Sequence, residues 1–322
     1  MDTLKSSDLK AILHSKRANM FYLEYCRVMQ KDGRVLYLTE TSKENQYFNI
    51  PIANTTVLLL GNGTSITQAA MRMLAQAGVL VGFTGGGGTP LFMANDVEQP
   101  IEWLTPQSEY RPTEYLQAWL SFWFDDEKRL TAAKMIQTAR IDYLTRIWTK
   151  DRELKQNGFE LSKLENALTT FTQRTENATK QSELLLTEAQ LTKALYKCAA
   201  NATNTSDFTR QHQSTDLAND FLNHGNYLAY GLAATTLWVL GIPHGFAVMH
   251  GKTRRGALVF DVADLIKDAL VLPWAFICAK ENATEQEFRQ QILQSFTDHK
   301  ALDYMFDKVK EIALADHGEH HD

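Results

Sequence analysis

Residues 249–268, MHGKTRRGALVFDVADLIKD, place several reactive side-chain types within one short stretch. His250 stands beside a run of positive charge, and Asp261 and Asp264 follow at the predicted start of a helix. An imidazole and two carboxylates are typical ligands of divalent metal ions. The neighbouring cations would repel a bare metal ion, but they fit a site that an anion such as a phosphate completes: Lys252, Arg254 and Arg255.

The helix predicted after this loop carries its acids along one edge. Its buried face is formed by apolar residues at helical spacing: Val262, Leu265, Ala269 and Leu272. Asp261, Asp264 and Asp268 fall at positions i, i+3 and i+7, so they share one edge of that face. A simpler interpretation stays open, in which Asp261 is only an N-cap and Asp264 an acid of the first turn.

A second predicted helix places a carboxylate on an apolar face. In SELLLTEAQLTKALYK, Glu188 falls on the same face as three leucines: Leu184, Leu191 and Leu195. A buried carboxylate costs free energy unless a cation, a metal or hydrogen bonds meet it. Either Glu188 binds a metal, or it lies at the edge of the face and reaches solvent, Lys193 or another base.

Glu188, His250 and the two aspartates together offer oxygen and nitrogen ligands. This donor set fits Mg²⁺, Mn²⁺ or Zn²⁺, because it contains no thiolate to favour a softer metal. With the basic loop, it predicts a metal centre that acts on a nucleic-acid backbone. Further basic residues are interleaved with acids, so we predict a solvated helix face for them: Lys128, Arg129, Lys134, Arg140, Arg146, Lys150 and Arg152.

Two glycine-rich stretches do not match nucleotide-binding motifs. LLLGNGTSIT lacks the Lys of a Walker sequence, and Ile66 stands where the dinucleotide fingerprint needs a third glycine. A tight strand-to-helix turn, capped by Thr64 or Ser65, explains this stretch. TGGGGTP, at residues 84–90, favours a flexible connection.

Composition sets the broad class of the protein. The chain has 322 residues, enough for one large domain or two ordinary ones, and 44% of them are hydrophobic. The net charge of -5 gives no global sign of nucleic-acid binding, although it allows a local basic surface. The 3 scattered cysteines predict reduced thiols. Because no apolar targeting core or membrane-length apolar stretch is visible, we expect a cytoplasmic protein without membrane contact.

The elements that must position the candidate residues change type near Pro106. Asp32-Gly33 joins two strand-like runs and predicts a β-hairpin, and QYFNIP and TTVLLL add strands. From Glu114 onward the apolar period is helical. We therefore predict an α+β protein with a small, β-sandwich-like N-terminal domain at 1–105 and a larger all-α C-terminal domain at 106–322.

Three of these stretches together resemble the CRISPR-associated integrase-endonuclease, the Cas-one protein of spacer acquisition: TEAQLTKALYK, MHGKTRRGALVFDVADLIKD and LLLGNGTSITQAA. The resemblance runs over nearly the whole chain. ILHSKRANMFYLEYCRV, NIPIANTTVLLLGNGTSIT and GGGGTPLF are similar to its type I-F subtype. The implied fold, a small β-domain before a larger α-helical domain, agrees with the change of pattern near Pro106.

The resemblance implies a role for each candidate residue. Glu188, His250 and Asp264 match the family's ligands for Mg²⁺ or Mn²⁺. Asp261 matches the residue that supports the site or contacts DNA, so it completes the implied catalytic set. NDFLNHGNYLAYG resembles the family's Asn-x-x-x-Tyr helix. The residues thereby predicted to line the site or contact DNA are Asn223, Tyr227, Lys252, Arg254 and Arg255.

The resemblance also implies a reaction and an assembly. A 3′-hydroxyl of a short DNA duplex, the prespacer, would attack the repeat of a CRISPR array by transesterification, and water in its place would give nuclease activity. The implied assembly is a homodimer that joins the Cas-two protein, fused in this subtype to the Cas-three helicase-nuclease. Two alternatives stay open: a stand-alone metal-dependent nuclease on branched DNA, and a non-catalytic DNA-binding scaffold whose acids only cap helices.

Overall fold

The computed structural model describes residues 19–40, 45–84, 102–104, 113–205, 208–211, 216–251 and 256–317. The chain divides into two compact units, Met1–Arg111 and Pro112–Asp322. Strands dominate the described part of the first unit and helices that of the second, which confirms the predicted α+β class and the order of its parts. The predicted boundary between residues 105 and 106 lies outside the described residues.

The strands described in the N-terminal unit form two four-stranded sheets. They are β1 (Asn19–Leu23), β2 (Arg27–Lys31), β3 (Arg34–Glu40), β4 (Asn45–Ile50), β5 (Thr55–Leu60), β6 (Ser65–Ile66), β7 (Leu80–Phe83) and β8 (Glu102–Leu104). One sheet has the order β1-β5-β7-β8, with its last pair antiparallel and the others parallel. The other has the order β4-β3-β2-β6, in which only β6 is parallel to its neighbour.

The hairpin of β2 and β3 forms where the Asp-Gly pair predicts it. Asp32 and Gly33 have φ values of +50° and +71°, and Lys31 pairs with Arg34 across the turn. Positive φ at both central residues is what a two-residue type I′ hairpin turn requires, and Asp-Gly adopts it readily. The structure confirms this prediction.

The strand-to-helix turn after β5 is capped differently from the prediction. Helix α1 (Gln68–Gln76) begins after Thr67, whose side chain accepts a hydrogen bond from the Ala70 amide. The predicted caps were wrong because Thr64 instead donates its hydroxyl to the Gly61 carbonyl, at 2.7 Å, and Ser65 belongs to β6. The predicted order of strand, turn, helix and strand is confirmed.

One hydrophobic core serves the N-terminal unit. It contains buried residues from both sheets and from α1, among them Leu23, Val28, Val35, Leu58, Leu74 and Val81. The two sheets therefore share a core, as the sandwich-like prediction requires. Most of the glycine-rich stretch after β7, residues 85–90, lies outside the described residues.

Helices build the C-terminal unit. They are α2 (Glu114–Trp123), α3 (Asp126–Lys150), α4 (Arg152–Gln156), α5 (Glu165–Asn177), α6 (Gln181–Thr203), α7 (Leu217–Leu240), α8 (Ala257–Ile266), α9 (Leu272–Lys280), α10 (Glu285–Asp298) and α11 (Ala301–Leu314). A π-helical segment, Lys267–Val271, connects α8 to α9. Within the described ranges, no helix has both the length and the apolar character needed to cross a bilayer.

Helix α7 closely approaches the π-helical segment that follows α8. A Cβ atom at Gly225 of α7 would lie 2.5 Å from Cγ1 of Val271, so only glycine permits this contact without rearrangement. The predicted buried face of α8 and its continuation is confirmed, with exposures of at most 3%: Val262, Leu265, Ala269 and Leu272. The acids on the same helical stretch are therefore held against the centre of the unit.

Candidate metal centre

Three side chains from distant parts of the chain converge within the helical unit. One ligand atom from each of Glu188, His250 and Asp264 lies within 4.8 Å of the other two. Ligands about 2.0–2.6 Å from a shared ion are at most about 5 Å apart, so this spacing fits a single divalent metal. The oxygen and nitrogen donors fit Mg²⁺, Mn²⁺ or Zn²⁺.

Glu188 reaches the centre from the leucine face of α6. The Glu188 side chain is 16% exposed. The three leucines on its face are buried, with at most 2% exposure: Leu184, Leu191 and Leu195. Glu188 Oε1 lies 3.1 Å from Nη1 of Arg140, and its Oε2 lies 3.7 Å from Nε2 of His250. The base that meets this carboxylate is thus Arg140, from α3.

Asp261 holds the imidazole of His250 in place. Its carboxylate is fully buried, and its Oδ1 lies 2.6 Å from Nδ1 of His250. It also accepts hydrogen bonds from the backbone amides of Val248, Met249 and His250, at 2.8–3.1 Å. Because Nδ1 is engaged, Nε2 is the ring nitrogen that faces Glu188.

The position of Asp261 excludes the simpler interpretation of this aspartate. Helix α8 begins at Ala257, and its N-cap is Gly256. Asp261 therefore lies in the second turn of the helix, and the alternative that it is only an N-cap is wrong.

Two tryptophans of α2 hold the loop before His250 from its other side. Nε1 of Trp119 donates to the Phe246 carbonyl at 3.0 Å, and Nε1 of Trp123 donates to the Ala247 carbonyl at 2.7 Å. The carbonyls at the start of the loop thus accept hydrogen bonds from the two tryptophans, and the amides at its end donate to Asp261. This arrangement fixes the backbone that carries His250.

Asp264 supplies a buried oxygen that is open to a ligand. The residue is 1% exposed, and its Oδ1 lies 2.5 Å from Nζ of Lys267. Its Oδ2 is buried and has no hydrogen-bond partner among the described residues. Leaving a buried carboxylate oxygen without a partner costs free energy. A metal ion bound there would remove that cost.

Arg140 is the member of the buried cluster that the sequence analysis placed wrongly. It was predicted to lie on a solvated helix face, but it is only 2% exposed, and Arg129 on the same helix is only 4% exposed. A signal was available, since Arg140 recurs at helical spacing with apolar residues that are also buried: Ile136, Tyr143 and Ile147. The same reasoning that singled out Glu188 applies to this arginine.

The charges of the cluster shift the protonation of its members. Burial and the neighbouring Asp264 raise the pKa of Glu188 above its ordinary value. Burial would also raise the pKa of Asp264, but Lys267, Arg140 and His250 outweigh it and hold that pKa below its usual value. Burial alone would lower the pKa of His250, whereas its hydrogen bond with Asp261 and the nearby carboxylates raise it to about 9. In the metal-free protein His250 is thus protonated at neutral pH.

The other predicted site residues connect to the centre through intermediate residues or lie outside the described residues. Asn223 accepts a hydrogen bond from Arg210 at 2.6 Å. The ring of Tyr227 meets that of Tyr230 edge-on, and Tyr230 in turn contacts Phe260, which neighbours His250. The basic loop residues lie outside the described residues: Lys252, Arg254 and Arg255.

A groove of about 920 Å³ borders Glu188 along α6. Three cations line it: Lys193, Lys197 and Arg210. Tyr196 and Phe208 add aromatic surface to the same groove. Cations combined with aromatic rings are typical of surfaces that bind a nucleic-acid strand.

A family model and two sequence relatives match this chain to one protein family. The family model described as "CRISPR associated protein Cas1" matches residues 21–305. The CRISPR-associated endonuclease Cas1 of Pseudomonas aeruginosa is 58% identical over 317 residues, covering 97% of this chain and 98% of that protein. That of Pectobacterium atrosepticum is 57% identical over 311 residues, covering 95% of each chain.

Solved structures share the fold at low sequence identity. A TtCas1–DNA complex superposes with a TM-score of 0.64 and 20% identity, covering 94% of each chain. A casposase bound to an integration product superposes with a TM-score of 0.66 and 15% identity, covering 92% of this chain and 89% of that one.

The raised pKa of His250 predicts that metal binding depends on pH. A metal ligand must be deprotonated, so binding of Mn²⁺ displaces the imidazole proton below about pH 9. We expect the apparent association constant to rise by up to about tenfold per pH unit between pH 6 and 8. Isothermal titration calorimetry in buffers of different ionisation enthalpy would measure about one proton released per ion.

A half-buried histidine outside the three-residue cluster supplies the matched control. His224, whose side chain is 27% exposed and lies near Glu285, should tolerate substitution by Gln without changing the proton release. His250→Gln should abolish the release of this proton when Mn²⁺ binds. Equal proton release by wild type and His250→Gln would contradict the assignment of the proton to this imidazole.

Proposed function

Because the chain belongs to the CRISPR-associated Cas1 family, we propose that it is a metal-dependent DNA endonuclease and integrase of CRISPR adaptation. Its substrate is a prespacer duplex whose 3′-hydroxyl attacks a phosphodiester of the CRISPR repeat. The new bond joins the prespacer 3′-oxygen to phosphorus, the bond to the array strand's 3′-oxygen breaks, and the proton of the attacking hydroxyl is released. Water in place of the hydroxyl gives hydrolysis.

The observation that carries this proposal is the convergence of Glu188, His250 and Asp264, with ligand atoms within 4.8 Å of one another. These three residues would hold Mg²⁺ or Mn²⁺. When bound, such an ion lowers the pKa of the attacking hydroxyl and offsets charge on the phosphoryl oxygens. The buried, unpartnered Oδ2 of Asp264 supports a ligand at this position.

The remaining residues of the centre orient these ligands. Asp261 holds His250 through Nδ1 and so would leave Nε2 available to a metal. Arg140 and Lys267 each contact one ligand carboxylate and reduce the repulsion between Glu188 and Asp264. In this proposal Asp261 is a positioning residue of the catalytic set and not a ligand.

DNA is the proposed substrate because of the cations beside the centre. The groove next to Glu188 carries Lys193, Lys197 and Arg210, and Asn223 is hydrogen-bonded to Arg210. Tyr227 and the basic loop remain predicted DNA contacts. The structural relatives that contain DNA or an integration product support a nucleic-acid substrate for this fold.

Removal of any metal ligand should abolish joining. We expect Glu188→Ala, His250→Ala and Asp264→Ala each to lower prespacer joining by at least about 100-fold, because the ion that organises the reacting groups is lost. The measurement is a gel assay of prespacer joining to a repeat duplex with Mn²⁺ or Mg²⁺. Glu183→Ala, an exposed acid on the same helix, should retain activity.

The same assay separates the alternatives. Cleavage of branched DNA without any repeat sequence or partner would favour the stand-alone nuclease. Duplex binding that is unchanged by EDTA, with no product under any condition, would favour the non-catalytic scaffold. Full joining by folded Glu188→Ala protein would reject the metal centre itself.

The basic loop is proposed to bind phosphates beside the metal. Charge reversal at Arg254 and Arg255 should weaken DNA binding and flatten the slope of log K against log salt by about 0.9 for each phosphate that the loop no longer neutralises. Fluorescence anisotropy at several NaCl concentrations would measure both effects. An unchanged slope would show that these two arginines do not bind phosphates.

We further propose a homodimer that joins the Cas-two protein fused to the Cas-three helicase-nuclease. The family membership supports this assembly. Because the chain is 57–58% identical to two Cas1 endonucleases, we expect its assembly surface to be similar to theirs. Light scattering should give twice the mass of one 36.5 kDa chain. Elution as a monomer across micromolar concentrations would contradict the dimer, and failure to co-elute with the fusion protein would contradict the partner.

A further inference from the structure

Arg140 is buried at the centre of the acidic cluster. Its side chain is 2% exposed, and arginine is almost never buried to this extent unless it is paired. Nη1 lies 3.1 Å from Oε1 of Glu188, and Nε and Nη2 lie 2.6 and 2.5 Å from Oδ2 of Asp268. One guanidinium from α3 thus bridges α6 and the π-helical segment.

Neutral side chains fix the plane of this guanidinium. Nη1 donates to Oε1 of Gln137 at 3.3 Å, and Nη2 donates to Oγ1 of Thr192 at 3.4 Å. Gln137 in turn donates through Nε2 to the sulfur of Met249, at 3.0 Å, next to His250 in the chain. Arg140 therefore has its orientation set independently of Glu188.

The contact with Arg140 selects which oxygen of Glu188 is available. Oε1 is engaged by the guanidinium, while Oε2 points towards Nε2 of His250, 3.7 Å away. Without the arginine, Oε1 would lose the contact that fixes the orientation of the Glu188 carboxylate. The guanidinium holds Oε1 and leaves Oε2 directed at the imidazole of His250.

We propose that Arg140 is a positioning residue for the metal centre: it holds Glu188 by Oε1 and so leaves Oε2 free for a divalent ion. This inference rests on the proposed function, because it takes the centre to bind a divalent metal. It assigns Asp268 the role of holding the opposite side of the guanidinium. A purely structural role for Arg140 would affect stability but not the intrinsic affinity for metal.

The test is Mn²⁺ affinity of the full-length protein, measured by isothermal titration calorimetry together with the metal-free melting temperature. Arg140→Gln should weaken Mn²⁺ binding by about 10–100-fold, the usual effect of losing a residue that orients a ligand. Arg140→Lys should give an intermediate loss, because lysine keeps the charge but cannot bridge Glu188 and Asp268 with a planar fork.

Arg289 of α10 provides the control. Its side chain is 13% exposed and pairs with Glu285 at 2.9 Å, so Arg289→Gln also removes a largely buried, paired guanidinium. Its Mn²⁺ affinity should equal that of wild type even if its melting temperature falls. A loss of affinity equal to that of Arg140→Gln would show that the effect is general destabilisation and would overturn the inference.

A double-mutant cycle tests whether Arg140 acts through Glu188. In a Glu188→Gln background, Arg140→Lys should cause no further loss of Mn²⁺ affinity, because its target is already removed. Additive losses would overturn the inference. If Arg140→Gln does not fold, Arg140→Lys and this cycle decide the outcome.

Different results would contradict the role of Arg140 and the proposed function. Wild-type affinity in Arg140→Lys and Arg140→Gln would overturn the role of Arg140 and leave the metal centre standing. A wild-type protein that binds no Mn²⁺ would overturn the proposed function and this inference together.

Discussion

Repulsion among four buried carboxylates is the constraint on which the centre of the helical unit depends. Glu188, Asp261, Asp264 and Asp268 have side chains no more than 16% exposed. Such groups stay ionised in the interior only when cations or hydrogen-bond donors meet them. Backbone amides and the imidazole satisfy Asp261, while Arg140 and Lys267 contact the other three. With a neutral imidazole, this set of residues keeps two excess negative charges, which one divalent ion would offset.

Each candidate ligand is held at one atom and open at another. His250 is held at Nδ1, Glu188 at Oε1 and Asp264 at Oδ1. The opposite atoms are Nε2 of His250 and Oε2 of Glu188, which face each other, and Oδ2 of Asp264, which lacks a hydrogen-bond partner among the described residues. A site whose ligands are restrained in this way has less side-chain freedom to lose when an ion binds. The partners of the ligands are therefore as much a part of the proposed chemistry as the ligands.

The surrounding fold supplies this restraint through a few close contacts. Gly225 lets α7 pack against Val271, and the π-helical segment begins directly after α8 with Lys267 and Asp268. From there Lys267 contacts Asp264, one turn earlier, and Asp268 meets Arg140. Segments of π-helix are rare and frequently mark functional sites, because they change the direction of side chains within a helix. Here the segment begins with two neighbouring charged residues that meet different partners, Lys267 with Asp264 and Asp268 with Arg140.

The sequence by itself determined the periodic features of this protein. The Asp32-Gly33 hairpin, the helical face that carries Glu188 and the α+β order follow from local preferences and apolar spacing, which act over a few residues. Only the tertiary structure determined which side chains contact each buried helix face. Arg140 and Asp268 are 128 residues apart in the chain, and interleaved acids made the arginine resemble a surface residue. Asp261 fits a helix cap until the start of α8 at Ala257 is known. Periodicity identifies the side of a helix that is buried, but the partner of a buried charge depends on packing between distant segments.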